Sequence, residues 1–139
     1  MSAKFLLDTN VVSEPLRPNP RAAVLKRLSA HEDEIVISSI VWHELRFGAA
    51  RLPESRRREA IERYLETVVL ATMPILDYDR AAAEWHADER TRLAARGETP
   101  AFADGQIAAI AGAHDLTLIT FNTADFKRFR GIRVQSWDR

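Results

Sequence analysis

Residues 3–10 read AKFLLDTN. The apolar run from Ala3 to Leu7 stops at three polar residues. Asp8, Thr9 and Asn10 all suit the start of a helix, where side-chain oxygens accept N–H groups that the first turn leaves unpaired. The stretch predicts a strand, a sharp turn and a helix. One Lys and three large apolar residues precede Asp8, too little for the core of a signal peptide.

The same alternation runs outward from there. Pro15, Pro18 and Pro20 break the first helix into a loop. Arg21 to Ala30 carries Val24, Leu25 and Leu28 at helical spacing. Glu34 to Ile37 reads as a second strand, and Ser38 or Ser39 caps a helix through Val41, Leu45, Ala49 and Leu52. Pro53 is read as the start of another helix, with an apolar stripe of Ile61, Tyr64, Leu65, Val68 and Val69. Thr72 to Leu76 is a third strand, weakened by Pro74. Asp79 caps a long helix that ends at Gly97. Thr99 and Pro100 open a helix through Ala113. Thr117 to Thr120 is a fourth strand, and Val134 anchors a fifth. Strands alternating with helices imply an α/β fold: a central parallel β-sheet of four to five strands with helices on both faces. With no repeat and no linker, residues 1–139 are read as one domain.

Composition narrows the function classes. Hydrophobic residues make up 46% and charged residues 29%, which fits a globular chain and excludes a disordered one. The absence of cysteine removes disulfides, thiolate metal sites and cysteine nucleophiles, and suits a cytoplasmic setting. Twenty acids balance twenty bases, so nucleic acid is not held by bulk positive charge and needs a local patch. No apolar run is long enough to span a membrane.

In open parallel sheets, chemistry gathers beyond the carboxyl ends of the strands. Asp8 follows the first strand, and Asn122 and Asp125 follow the fourth. Glu44 lies in the second turn of the helix after the second strand, and Asp104 near the start of the helix before the fourth. Each has a plainer reading: Asp8 as a helix cap worth ~1 kcal/mol, Glu44 as a solvated residue, Asp104 as a helix-dipole partner, Asp125 as a turn residue. Together they point elsewhere. Two carboxylates ~4 Å apart repel by about 4 kcal/mol at an effective dielectric of 20. A cluster of such oxygens suits Mg²⁺ or Mn²⁺, ions that bind phosphates and activate water.

LDTNVVSEPLRP, VWHELRFGAARL, PAFADGQIAAIA and LITFNTADF occur in this order across nearly the whole chain. The sequence thereby resembles PIN-domain ribonucleases, and more closely the VapC-type toxins of bacterial toxin–antitoxin pairs in their FitB-like branch. The SEPLRP after DTN and the Ser136–Trp137 pair near the end belong to that resemblance. It implies a single PIN domain with a PIN-like fold and a metal-dependent endoribonuclease that hydrolyses RNA phosphodiester bonds by metal-activated water. It implies that Asp8, Glu44 and Asp104 are the metal-binding acids, and that Thr9 and Thr120 are hydroxyls orienting water or carboxylates. At the fourth position many family members carry Asp where this chain has Asn122. Either Asn122 contributes a neutral ligand or Asp125 supplies the charge.

The resemblance further implies a VapB/FitA-like antitoxin, a toxin homodimer, and a larger hetero-oligomer that binds operator DNA through the antitoxin. Val11, Val12 and Leu16 beside Asp8, and Trp42 and Leu45 beside Glu44, suggest an apolar groove for an antitoxin segment; the plainer reading is ordinary core, in part for Val12 and Leu45. Arg46, two positions after Glu44, is expected to meet a phosphate. Lys127, Arg128 and Arg130 form the best local basic patch. The four histidines lack metal-ligand spacing, and His43 begins no zincin motif because its second His is missing. Arg56, Arg57 and Arg58 read as a solvated helix face, and the three tryptophans as packing residues. The rival reading is a catalytically weak PIN scaffold acting as an antitoxin-binding and operon-regulatory module.

Overall fold

The computed structural model describes residues 2–138. Its frame is a five-stranded, all-parallel sheet in the order β3-β2-β1-β4-β5. β1 is Phe5–Leu7, β2 Ile35–Ser38, β3 Ile75–Leu76, β4 Thr117–Ile119 and β5 Arg133–Gln135. β1 is central: Phe5 registers with Ile35 on one side and Thr117 on the other. Successive strand side chains point to opposite faces. Leu6 and Leu7 are both fully buried, so both faces of the sheet are covered.

The helices named below are α1 (Thr9–Val12), α2 (Ala22–Ala30), α3 (Ser39–Ala50), α4 (Arg56–Tyr64), α5 (Leu70–Thr72), α6 (Arg80–Ala95), α7 (Phe102–Ala113) and α8 (Thr123–Phe126). Asp8 caps α1, Ser38 caps α3 by accepting from the Val41 N–H at 3.0 Å, and Asp79 caps α6 by accepting from Ala82 at 2.9 Å.

Several boundaries move from the sequence expectation. The helix assigned to Pro53 begins at Arg56, because Ser55 accepts the Arg58 N–H at 3.2 Å and supplies the cap. Thr99 and Pro100 lie in the connection before α7, which starts after Ala101 without a side-chain cap. The second strand runs one residue later than Glu34–Ile37, and the fourth stops at Ile119. The third strand shrinks to Ile75–Leu76: Thr72 closes α5, and Pro74 contributes only its carbonyl, which accepts from Ile37.

The apolar stripe is interrupted for a definite reason. Leu65–Val69 forms a π turn between α4 and α5, with the Leu70 N–H bonded to the Leu65 carbonyl. The wider turn carries an extra residue and shifts the phase of the helix. Leu65 and Val69 stay buried, while Val68 is 41% exposed.

α6 and α7 approach closely at Gly105, where a Cβ would overlap the His86 ring. His86 is fixed from its other side by the Tyr78 hydroxyl, 2.8 Å from Nδ1. Trp137 is fully buried against Phe5, ring centres 5.1 Å apart, and His31, 5.4 Å apart, which bears out its reading as a packing residue.

Candidate active site

β1 delivers Asp8 to the carboxyl edge of the sheet. Its N–H donates to the Ile119 carbonyl at 2.9 Å, carrying the β1–β4 ladder one residue further. The side chain is buried and makes two bonds: Oδ1 accepts the Thr9 N–H at 2.9 Å, and Oδ2 accepts the Thr120 hydroxyl at 2.8 Å. Asp8 therefore is a helix cap, with its second oxygen committed across the sheet.

Thr120 is completely buried. Its Oγ1 accepts the Asn122 N–H at 3.0 Å, so its own proton is directed to Asp8. Asn122 thus reaches the site through its backbone. Its side chain is exposed and does not cap α8. On the other side, the Thr9 hydroxyl donates to Glu44 Oε2 at 2.9 Å and ties α1 to α3. Each of the two threonines pointed out by the sequence holds one carboxylate.

Asp104 stands in the first turn of α7, half-buried. Burial raises its carboxyl pKa above the usual range, and the charges of Asp8, Asp125 and Glu44 raise it further, against a smaller opposing pull from Arg128. Four acids from four separate segments therefore share one field. Asp125, in the first turn of α8, is the most exposed of them, and its carbonyl accepts from Arg128 Nε at 3.0 Å. Among the described residues no three acids or histidines form a closed metal-ligating cluster. The donor set nevertheless fits a hard divalent cation: it is all oxygen, and Arg128, 3.9 Å from Asp125, offsets only part of its negative charge.

Other expected residues fall elsewhere. Arg46 turns away from Glu44 and lies 3.9 Å from Glu66, with its guanidinium 6.0 Å from the centre of the Trp42 ring. Lys127 is exposed, and Arg130 is engaged through its N–H, which donates to the buried Glu89. A groove of about 830 Å³ opens beside Thr9 and Glu44. Leu16, Leu45, Phe47 and Ile61 give it apolar walls, and Arg17, Arg51 and Arg57 line it with positive charge. Val11 and Val12, expected at this groove, are wholly core, and Trp42 lies outside it, half-buried against the core. The sequence reading missed Glu14, which is fully buried. An acid placed between an apolar helix and a run of prolines was the available signal.

Comparison with known proteins identifies the family. The PIN domain family profile matches residues 5–132. The chain is 39% identical to Toxin FitB of Neisseria gonorrhoeae over 125 residues, covering 88% of this chain and 90% of that one. It is 34% identical to the tRNA(fMet)-specific endonuclease VapC of Shigella flexneri over 136 residues, covering 96% and 98%. The structure of FitAB bound to an IR36 DNA fragment superimposes with a TM-score of 0.88 at 34% identity, covering 97% of this chain and 96% of that one. The chain belongs to the PIN-domain family, among its FitB- and VapC-type toxins.

Proposed function

We propose that this chain, acting as a single domain in the cytoplasm, is the toxin of a toxin–antitoxin pair and a Mg²⁺- or Mn²⁺-dependent endoribonuclease. The observation that carries the reading is the gathering of like charges at the end of the sheet: Thr120 and Thr9 hold Asp8 and Glu44 there, and the half-buried Asp104 feels both. A pure scaffold gains nothing from such repulsion.

Asp8, Glu44 and Asp104 would hold the cation, with Asp125 as the fourth charge. The cation would supply Lewis-acid chemistry for attack by water on a phosphodiester. The chain's own residues set the geometry. Thr120 fixes the rotation of the Asp8 carboxylate, and Thr9 fixes that of Glu44. Arg128, close enough to act on Asp104, offers a guanidinium to a non-bridging phosphate oxygen.

The groove supports a partner. Its apolar walls match one face of an amphipathic segment, and an arginine from that segment could neutralise the acids in place of the cation. The FitAB complex with a DNA fragment supports a FitA- or VapB-like antitoxin here, and the family resemblance adds a toxin homodimer and operator DNA held through the antitoxin.

The test is sequencing of RNA ends after induction, beside an Asp8→Asn control. Wild type should create new ends, and the variant none. Cleavage by Asp8→Asn, or by wild type in excess chelator, would sink the reading. Asp125→Ala is expected to weaken metal binding far more than Asn122→Ala, as measured by calorimetry. Co-expression with the product of the adjacent gene should restore growth.

A further inference from the structure

The SEPLRPNPR segment, residues 13–21, is built around a buried charge. Glu14 opens a 3-10 turn (Glu14–Leu16) and is fully buried. Its Oε2 accepts the Arg21 N–H at 2.7 Å. Its Oε1 lies 3.6 Å from the Arg17 guanidinium, too long for a hydrogen bond, and has no hydrogen-bond partner. A carboxylate in this setting opposes folding unless it is paired, and the sheet does not require it. What it does is fix where the loop ends, at Arg21.

The Arg21 guanidinium lies over the ring of Phe121, 4.2 Å from its centre. Phe121 directly follows Thr120, the residue that holds Asp8. The loop is thereby fastened to the segment that follows Thr120, at the same edge of the sheet as the acid cluster. An arginine seated on an aromatic face is held in one orientation and keeps its planar set of donors for other groups. RNA is a polyanion, and four converging acids repel it. A seated cation next to them answers that repulsion locally, where the balanced net charge of the chain cannot.

We propose that Arg21, seated on Phe121 and set by Glu14, binds a phosphate of the single-stranded RNA next to the acid cluster. The inference rests on the ribonuclease reading and adds a substrate-binding residue to it. Arg21 is exposed, so Arg21→Gln should fold normally, as circular dichroism will check. With a single-stranded RNA, this variant is expected to raise KM about tenfold with kcat within about twofold, and to flatten the salt dependence of binding by roughly 0.7 in log–log slope. Phe121→Leu, which keeps the charge and removes its seat, should raise KM by a smaller factor.

Binding of a fluorescent single-stranded RNA in metal-free buffer separates the possible failures. If wild type cleaves and Arg21→Gln keeps its KM, or loses only kcat, the inference falls alone. If wild type binds RNA but does not cleave it once Mg²⁺ or Mn²⁺ is supplied, the ribonuclease reading falls; weaker binding by Arg21→Gln then keeps the phosphate contact alone, and equal binding removes it. If wild type does neither, both fall.

Discussion

Replacing Thr120 by valine removes a hydroxyl that serves two partners. The Asn122 N–H loses its acceptor, and Asp8 Oδ2 loses its donor. Leaving a buried polar group unsatisfied costs about 1–3 kcal/mol. Thr120→Val should lose stability in that range by urea unfolding and cut RNA poorly, whereas Thr120→Ser should keep most of both. Asp104 acts in the opposite direction. Its raised pKa means that the folded state holds its proton more tightly than the unfolded chain does. Stability without metal therefore increases as pH falls through the folded value toward the ordinary carboxylate range. Asp104→Asn should remove this slope and raise the metal-free Tm while abolishing cleavage; an unchanged slope would exclude Asp104 as its source. Tyr64 marks the alkaline end. Its hydroxyl donates to the Val12 carbonyl at 2.6 Å, and burial pushes its pKa up to about 12. The unfolded phenol titrates at roughly 10, so stability present below that pH is lost as pH rises toward 12. Tyr64→Phe should be flat across the same window in chemical unfolding. Asp8, Glu44 and Asp104 could be found in the sequence because each sits at a strand end or on an otherwise apolar or tight helix face. Arg46 misled because two residues along a helix is about 200° around it, and proximity in sequence does not put two side chains on one face. Glu14 carried only the faint signal of an acid ahead of a run of prolines, because its partner is a backbone N–H seven residues on.

Elements were legible where punctuation was local. Asp79 starts α6 as residue chemistry dictates, whereas α1 ends at Val12 and Pro15 sits inside the 3-10 turn that follows it. The π turn was not, because periodicity analysis assumes a constant pitch. Its consequence is measurable: Val69→Ala should cost roughly 1–3 kcal/mol, and Val68→Ala, one residue away, less than about 0.5. Equal costs would mean that the turn does not shift the stripe. Pro53 and Pro100 were both read as helix starts, yet they precede helices that begin later. Ser55 supplies a better cap in the first case, and in the second α7 starts after Ala101 without a side-chain cap and packs on α6. Gly105 is the tightest of those contacts, and a methyl there must displace the His86 ring from its Tyr78 bond.

The parallel sheet was readable as a whole because apolar strands alternate with helices, and only a sheet covered on both faces buries such strands. Strand order was not readable, since nothing in β1 names β2 and β4 as its neighbours. That order has a consequence in time. The hydrogen bond from Thr120 to Asp8 joins residues 112 positions apart, and β4 must dock beside β1 before it can form. A ribosome adding about 5–20 residues per second needs roughly 6–22 s to move from one to the other. Over that interval the nascent chain gains Glu44 and then Asp104 but has no finished site, so cleavage is expected only after β4 has docked. Chains stalled before residue 120 should leave RNA intact in a cell-free translation assay, and chains extended through α8 and β5 should not.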